Sequence, residues 1–416
     1  MSEAVYLINP PPKGVFRDGY CSGRLRYGVS WQPLEFIVQA GILSERFDVK
    51  VLDYVANRAL PDVRELPEPL GALILTGQVC WREDAAFVAA FKRQFPDAKV
   101  LISGDVPRFR PQEAFSDIPD ADGILSDFST HDTLRFFSGD SAPYFGITLA
   151  DDSQARVSPP EFRHPPPPAW VMRAGNYRFP LLHPRGFYSI LSSIYCPYRC
   201  RFCNTGIHSF RLRPVADFLA DFRSGIAAGF RNFYVRDATF GTDIEHRTAI
   251  LEEMARHRIA FNCFTRTDIW DTEGLKLLAR AGCALVQFGI ESFSRETQRL
   301  FDKEIDLEWA AAAIRQCHRL GMLVSAHIIA TSPDDPFLKQ PGRYLKTVKP
   351  DFLSISPLEF RPGLDSEALP FPSDADRRVI QRRIRRIAYA HHLSPSVLLR
   401  IIRWKLKRVL GAAARR

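Results

Sequence analysis

Short aliphatic and β-branched runs recur along most of the chain, each followed by a stretch of helical periodicity. Residues 5–8, 49–53, 72–76, 99–103 and 123–125 read as strands, and 34–47, 83–95 and 130–137 as helices. Parallel neighbours need a crossover between them, usually a helix, so this alternation predicts an α/β domain. The expectation for residues 1–150 is a doubly wound parallel sheet of Rossmann-like type, with any ligand outside the carboxyl ends of its strands.

A second series begins near residue 186. Strands are expected at 188–194, 231–235, 260–265, 284–288, 323–329 and 352–356, and helices at 215–228, 244–257, 272–281, 307–320 and 337–347. Six β/α units over residues 186–360 predict a partial (β/α)6 barrel whose site again lies at the carboxyl ends of the strands. Residues 151–185, with Pro159, Pro160 and the run Pro165 to Pro168, suit neither a helix nor a central strand and are expected to be an extended linker. Residues 361–416 are expected to form a basic helical region.

With 46% hydrophobic and 25% charged residues the chain has material for real cores, which excludes a disordered or collagen-like chain. No run approaches roughly 18 uninterrupted apolar residues, so no spanning helix is expected. The opening MSEAVYLINPPPKG lacks a basic segment followed by a long apolar one, so no secretory signal is expected either.

Eight cysteines are spread thinly, except that Cys196, Cys200 and Cys203 fall within eight residues. That argues against a disulfide framework and for a reducing cytoplasm. Three thiolates spaced CxxxCxxC on one loop suit three irons of a [4Fe–4S] cluster and leave the fourth iron open. The competing readings are a zinc site or a chance spacing. Structural zinc usually takes four protein ligands, yet no second pair fits, and His208 is a loose match.

The motif, with Phe202 before its last cysteine, resembles the signature of radical S-adenosylmethionine (SAM) enzymes. Three further segments strengthen the resemblance. Arg236-Asp237-Ala238-Thr239-Phe240 is similar to the family's D-D-x-F segment, with Arg in place of the first Asp. Phe264-Thr265-Arg266-Thr267-Asp268 is similar to R-x-D, and Phe288-Gly289-Ile290-Glu291-Ser292 to G-I-E-S. Where G-x-P is usual, this chain reads Ala330-Thr331-Ser332-Pro333. The resemblance implies that SAM binds the open iron and is cleaved to a 5′-deoxyadenosyl radical. It implies an electron donor such as flavodoxin or ferredoxin. It also implies that Glu291 and Arg266 contact the ribose and carboxylate regions of SAM, that Phe202 contacts its adenine, and that Asp237 and Gly289 belong to the same site.

A 150-residue doubly wound domain ahead of such a barrel resembles the cobalamin-binding subgroup. Leu7-Ile8-Asn9-Pro10-Pro11 is similar to its usual start, and Thr76, Gly77, Ser103 and Gly104 stand at strand ends where a corrin and its nucleotide tail would pass. No D-x-H-x-x-G is present and no histidine precedes His131, so an imidazole ligand from this domain is not expected. Cobalamin binding and a degenerate scaffold that binds none both remain open. The implied reaction is methylation of an unactivated carbon in a small-molecule or lipid-like substrate, or a rearrangement, cyclisation or group addition without methyl transfer.

From Arg377 to Arg416 there are 13 Lys or Arg and no Asp or Glu, so the formal +9 of the chain leaves the remaining residues at −4. No nucleic-acid groove is expected in the main domains. Leu398, Ile401, Ile402, Leu406, Val409 and Leu410 form an apolar stripe among Arg400, Arg403, Lys405, Lys407 and Arg408. A basic amphipathic helix suits peripheral docking on an anionic membrane surface, at its inner face for a cytoplasmic protein, or an acidic partner, or equally a helix packed on the barrel.

Overall fold

The computed structural model describes residues 3–11, 14–24, 29–57, 59–141, 143–151, 159–180, 182–365, 367 and 369–413, with side chains in the last helix described as far as residue 407. The chain divides into two compact units, one comprising residues 1–195 and 208–236, the other residues 196–207 and 237–416.

The first unit is built on β1 (Ala4–Asn9), a hairpin of β2 (Val15–Arg17) and β3 (Ser22–Arg24), β4 (Asp48–Asp53), β5 (Gly71–Thr76), β6 (Lys99–Gly104), β7 (Gly123–Leu125) and β8 (Ile147–Thr148). Its sheet has the order β4-β1-β5-β6-β7-β8. It is parallel through β7, and β8 closes the edge antiparallel. The helices are α1 (Leu34–Leu43), α2 (Trp81–Gln94), α3 (Asp105–Phe109), α4 (Pro111–Asp117) and α5 (Asp132–Ser138). Every residue of β1 and β5 is buried, as expected of strands covered on both faces. Tyr6, Ile8, Ile74, Phe91, Val100 and Ile102 share one core.

The same unit holds β9 (Tyr188–Ile190), β10 (Ser193–Ile194), β11 (Arg211–Leu212), α6 (Val215–Ala227) and β12 (Asn232–Val235). β9 pairs in parallel with β12, and β10 pairs antiparallel with β11, so the strand expected at 188–194 is two short ones. The compact division therefore does not fall at residues 150 or 186. Side-chain bonds explain why. Gln32 donates to Phe187 O at 3.1 Å and accepts from Ser189 Oγ at 2.6 Å. The described part of the Pro-rich stretch is knitted in as well, through Tyr177 Oη to Asp53 at 2.9 Å and Arg213 to His164 O at 2.9 Å.

The second unit carries β13 (Ala260–Thr265), β14 (Cys283–Glu291), β15 (Leu323–Ala330) and β16 (Phe352–Pro357), each parallel to the next. Its helices are α7 (Ile244–Ala255), α8 (Thr272–Arg280), α9 (Arg295–Leu300), α10 (Leu307–Arg319), α11 (Pro336–Lys339), α12 (Pro341–Val348), α13 (Asp374–His392) and α14 (Pro395–Ala413). Asp243, Asp271, Ser294 and Asp306 cap α7 to α10 by accepting amide hydrogen bonds, each worth about 1 kcal/mol. The single helix expected at 337–347 is broken, because Pro341 cannot continue α11 and instead starts α12. All six strands expected of the second series are present, two in the first unit and four in the second. No helix among the described residues is long and apolar enough to cross a membrane.

Candidate active site

Residues 196–207 form a loop held by main-chain bonds. Arg201 N donates to Phe301 O at 3.0 Å and Cys203 N to Cys200 O at 3.0 Å, while Asn204 reaches Pro362 O at 3.3 Å. Gly206 permits a close approach, since a Cβ there would lie 2.0 Å from Tyr198 O. The loop presents Cys196, Cys200 and Cys203 to one cavity of about 320 Å³.

The cavity is finished by the carboxyl ends of the strands. Arg266, just past β13, grips Asp268 with Nε and Nη2 at 3.0 and 2.6 Å, so the R-x-D spacing is an internal clamp. The same guanidinium donates to Lys303 O at 3.0 Å, reaches Cys200 Sγ at 3.8 Å and covers the Tyr198 ring at 4.1 Å. Glu291 ends β14 with a left-handed backbone, φ 63°, at a register shift between Gly289 and Glu291. A non-glycine residue held there costs about 1–3 kcal/mol, strain of the kind that gathers at functional sites. Its carboxylate takes Lys303 Nζ at 2.8 Å, and both side chains are nearly sealed. Gly289 makes room for the pair, because a Cβ there would lie 2.5 Å from Glu291 Oε1 and 2.7 Å from Lys303 Nζ. Phe202 packs on Phe301 at 4.9 Å with Lys303 over its ring at 5.7 Å.

Electrostatics follow from burial and these cations. Burial pushes the Cys200 thiol up to about 11, against the pull of Lys303 and Arg266. It also raises Cys196, which Thr239 Oγ1 partly offsets from 3.4 Å. Thr205 Oγ1 lies 2.9 Å from Cys203 Sγ. Among the described residues no three Cys, His, Asp or Glu converge as around a single metal ion. A cubane asks for a different arrangement, one thiolate on each of three irons, and a loop with three thiols facing one cavity beside two cations fits an anionic cluster of this kind.

Of the residues singled out in the sequence, the three cysteines, Phe202, Arg266 and Glu291 line this cavity, and Gly289 supports it. Asp237 is buried, and its neighbours Ala238 and Thr239 face the cavity instead. Arg236, the departure from D-D-x-F, is bonded in the first unit to Asp18 and to Gln32 O. Sequence reasoning missed Tyr198, Lys303 and His327. Lys303 sits between two left-handed residues, Asp302 and Glu304, a loop with no periodic signal. His327 lies mid-strand on β15, where burial holds its imidazole down at about 4 and hence neutral.

Thr76, Gly77, Ser103 and Gly104 fall at strand ends in the first unit, as expected. Thr76 and Ser103 are buried and already bonded, Thr76 Oγ1 to Ser103 O at 3.0 Å and Ser103 Oγ to Glu35 Oε1 at 3.1 Å. Beyond Gly104 lies a polar cluster in which Glu35 is buried and Arg108 and His208 are half-buried. Arg108 donates to Gly19 O, but its Nε and Nη2, Glu35 Oε2 and His208 Nε2 have no partner among the described residues. His208 stacks on Tyr195 at 4.5 Å. The first unit thus contains an imidazole that follows the cysteine loop in sequence, beyond residues 1–150.

Residues 190–336 match the model of the radical SAM superfamily. Among curated proteins none matches the chain. The chain is similar to the structure of the radical SAM methyltransferase TsrM from Kitasatospora setae with cobalamin and a [4Fe–4S] cluster bound, at 18% identity over 87% of this chain and 76% of that one, with a TM-score of 0.67. It is also similar to the cobalamin-dependent radical SAM enzyme OxsB with aqua-cobalamin bound, at 16% identity over 92% of this chain and 55% of that one, with a TM-score of 0.62.

Proposed function

We propose that this radical SAM enzyme is cobalamin-dependent and methylates an unactivated carbon of a small-molecule or lipid-like substrate. The observation that carries the radical half is the single cavity joining Cys196, Cys200 and Cys203 to Arg266, Glu291 and Lys303. When bound, the cluster supplies the electron that opens SAM to a 5′-deoxyadenosyl radical, and cobalamin supplies a carrier for the methyl group. The protein's part is to bind and orient. Arg266, fixed by Asp268, and Lys303 offer two cations for the carboxylate of SAM. Glu291 offers an acceptor for its ammonium or ribose hydroxyls, and Phe202 a ring face for adenine. His327, neutral at physiological pH, offers an acceptor on the cavity wall.

The cobalamin half is supported by the likeness to TsrM in fold and by the orphaned polar atoms of Arg108, Glu35 and His208. Buried groups of this sort each cost about 1–3 kcal/mol unless water or a ligand satisfies them. One observation favours the second reading, a first unit that binds no cobalamin and a reaction without methyl transfer. Thr76 and Ser103 are closed off, and the β2–β3 hairpin packs on the end of β5, where a Cβ on Gly77 would meet Ser22 Cβ at 2.5 Å.

The test is anaerobic reconstitution with iron, sulfide and cobalamin, followed by mass analysis after adding SAM and a reductant. About four irons per chain are expected, lost in the Cys196→Ala, Cys200→Ala, Cys203→Ala triple variant, together with bound cobalamin by absorbance. 5′-Deoxyadenosine with S-adenosylhomocysteine supports methylation. 5′-Deoxyadenosine alone, with no cobalamin retained, supports the second reading. A triple variant that keeps its iron overturns the cluster assignment.

A further inference from the structure

We propose that the exposed face of α14 docks on an anionic phospholipid bilayer, whichever reaction the cavity performs. The helix is clipped down along one side. Val397 is buried, Arg400 donates to Asp351 Oδ1 at 2.8 Å and Pro350 O at 2.9 Å, and Trp404 Nε1 donates to Gly321 O at 2.9 Å. Asp351 is a firm anchor. Burial alone would raise its carboxyl, yet the hydrogen bonds and charges of His318 and Arg400 hold it below the usual range.

Clipping by positions 397, 400 and 404 turns the opposite side of the helix outward, since these recur at helical spacing. That outward side carries Leu398, Leu399, Ile402 and Leu406, between 41% and 54% exposed. The stripe read from the sequence is thereby split. Ile401, half-buried, falls by helical spacing on the clipped side, and Val409 and Leu410 lie beyond the described side chains. At 100° per residue, Arg403 and Lys407 fall on one flank of the exposed stripe and Lys405 on the other, and all three are exposed. Beside the root of the helix, on its packed side, a groove of about 770 Å³ is lined by Val397 and the clipped Arg400 together with Lys346, Lys349, Arg383 and Arg386, with no carboxylate among its lining residues.

Charge chooses the occupant. From Arg377 onward there is no acidic side chain, so the exposed apolar ridge is flanked by cations with no carboxylate on the same helix to oppose them. An anionic bilayer answers both features, accepting leucine and isoleucine at the acyl boundary and placing phosphates beside the cations. A nucleic acid would answer only the charge.

The test is sedimentation of the full chain with vesicles of phosphatidylcholine alone and of equal parts phosphatidylcholine and phosphatidylglycerol. Sedimentation is expected with the mixed vesicles only and should weaken as salt rises. Ile402→Ser with Leu406→Ser should reduce the partition at least about tenfold, given what a buried aliphatic side chain contributes. Lys405→Gln should reduce it about fivefold, the loss of one surface cation. Iron content and the thermal midpoint should not move, because these side chains are exposed. The proposal is overturned if the full chain ignores mixed vesicles at low salt. It is also overturned if the double variant binds them unchanged, if the ridge instead makes a dimer that the double variant abolishes, or if the chain binds only RNA.

Discussion

Two buried polar regions of this molecule treat charge in opposite ways. In the cavity of the second unit the charges close on one another, Lys303 on Glu291 and Arg266 on Asp268, with the thiols beside them. In the cluster beyond β6 of the first unit, Arg108, Glu35 and His208 keep donors or acceptors that nothing among the described residues meets. The first arrangement holds its shape without a ligand. The second carries a desolvation cost that only water or a ligand can offset. Preorganisation is thus strongest where SAM is proposed to bind, and an unmet demand is concentrated where cobalamin is.

The largest effect should come from breaking the closed region. Lys303→Met leaves the Glu291 carboxylate buried and alone, and removing one partner of a buried pair costs about 3–5 kcal/mol. The apparent unfolding midpoint in urea should fall accordingly. Adding Glu291→Gln should recover most of the loss while SAM affinity stays low. The cycle then separates stability from binding. If Lys303→Met unfolds like the parent protein, the pair is not closed in solution. The same variant should load iron more slowly at pH 7, because Lys303 is among the charges pulling the Cys200 thiol down, and metal must displace that proton.

The open region should show itself in pH dependence. Glu35 is raised to about 7, first by burial and then by the charge of Asp18, against the pull of Arg108. An acid whose folded pKa lies above its unfolded value binds more protons when folded. Its contribution is present below about 4.5 and is lost as pH rises through about 7. A shift of this size corresponds to roughly 3 kcal/mol. Glu35→Gln should therefore flatten the fall in stability between these limits and be more stable than the parent at pH 8. Thermal melts across that range check it, and parallel profiles for parent and variant would show the carboxyl to be ordinary.

The two regions also differed in how far the sequence revealed them. The cysteines, Arg266 and Glu291 stand next to strand ends, and strand periodicity with a fixed spacing places such residues well. Lys303 could not be found this way, because its position depends on a left-handed turn after α9 and not on any repeat. The parallel strands of the first unit were equally legible, but its short antiparallel strands, 15–17, 22–24, 147–148 and 211–212, were not, nor was whether Thr76 and Ser103 face solvent. That depends on the hairpin of residues 15–24, whose Arg17 is buried and bonded to Asn9 and Asp84 at 2.9 Å. A buried arginine reads in sequence as a surface one. The units themselves were hidden for a related reason. Gln32, Asp18 and Asp53 draw residues from beyond 150 into the first unit through side-chain hydrogen bonds, which leave no composition signal.

His208 gives the smallest effect and the one that bears most directly on the contrast. It lies five residues past Cys203 in sequence, yet its ring stacks on Tyr195 within the first unit. Burial, with help from Arg108 and Arg211, holds it down at about 4, so it is a neutral imidazole whose Nε2 meets nothing described. Phenylalanine keeps a ring of similar shape for the stack and removes the desolvated nitrogen. In cobalamin-free protein, His208→Phe should raise stability by about 1 kcal/mol, the lower end of the cost of an unmet buried group. With cobalamin present the sign should reverse, since the variant gives up a polar contact that the bound cofactor would satisfy, and the stabilisation that cobalamin confers on the parent should shrink. Melting both proteins with and without cobalamin decides the matter. A variant stabilised equally in both conditions would mean that the orphaned atoms of the first unit are met by water alone.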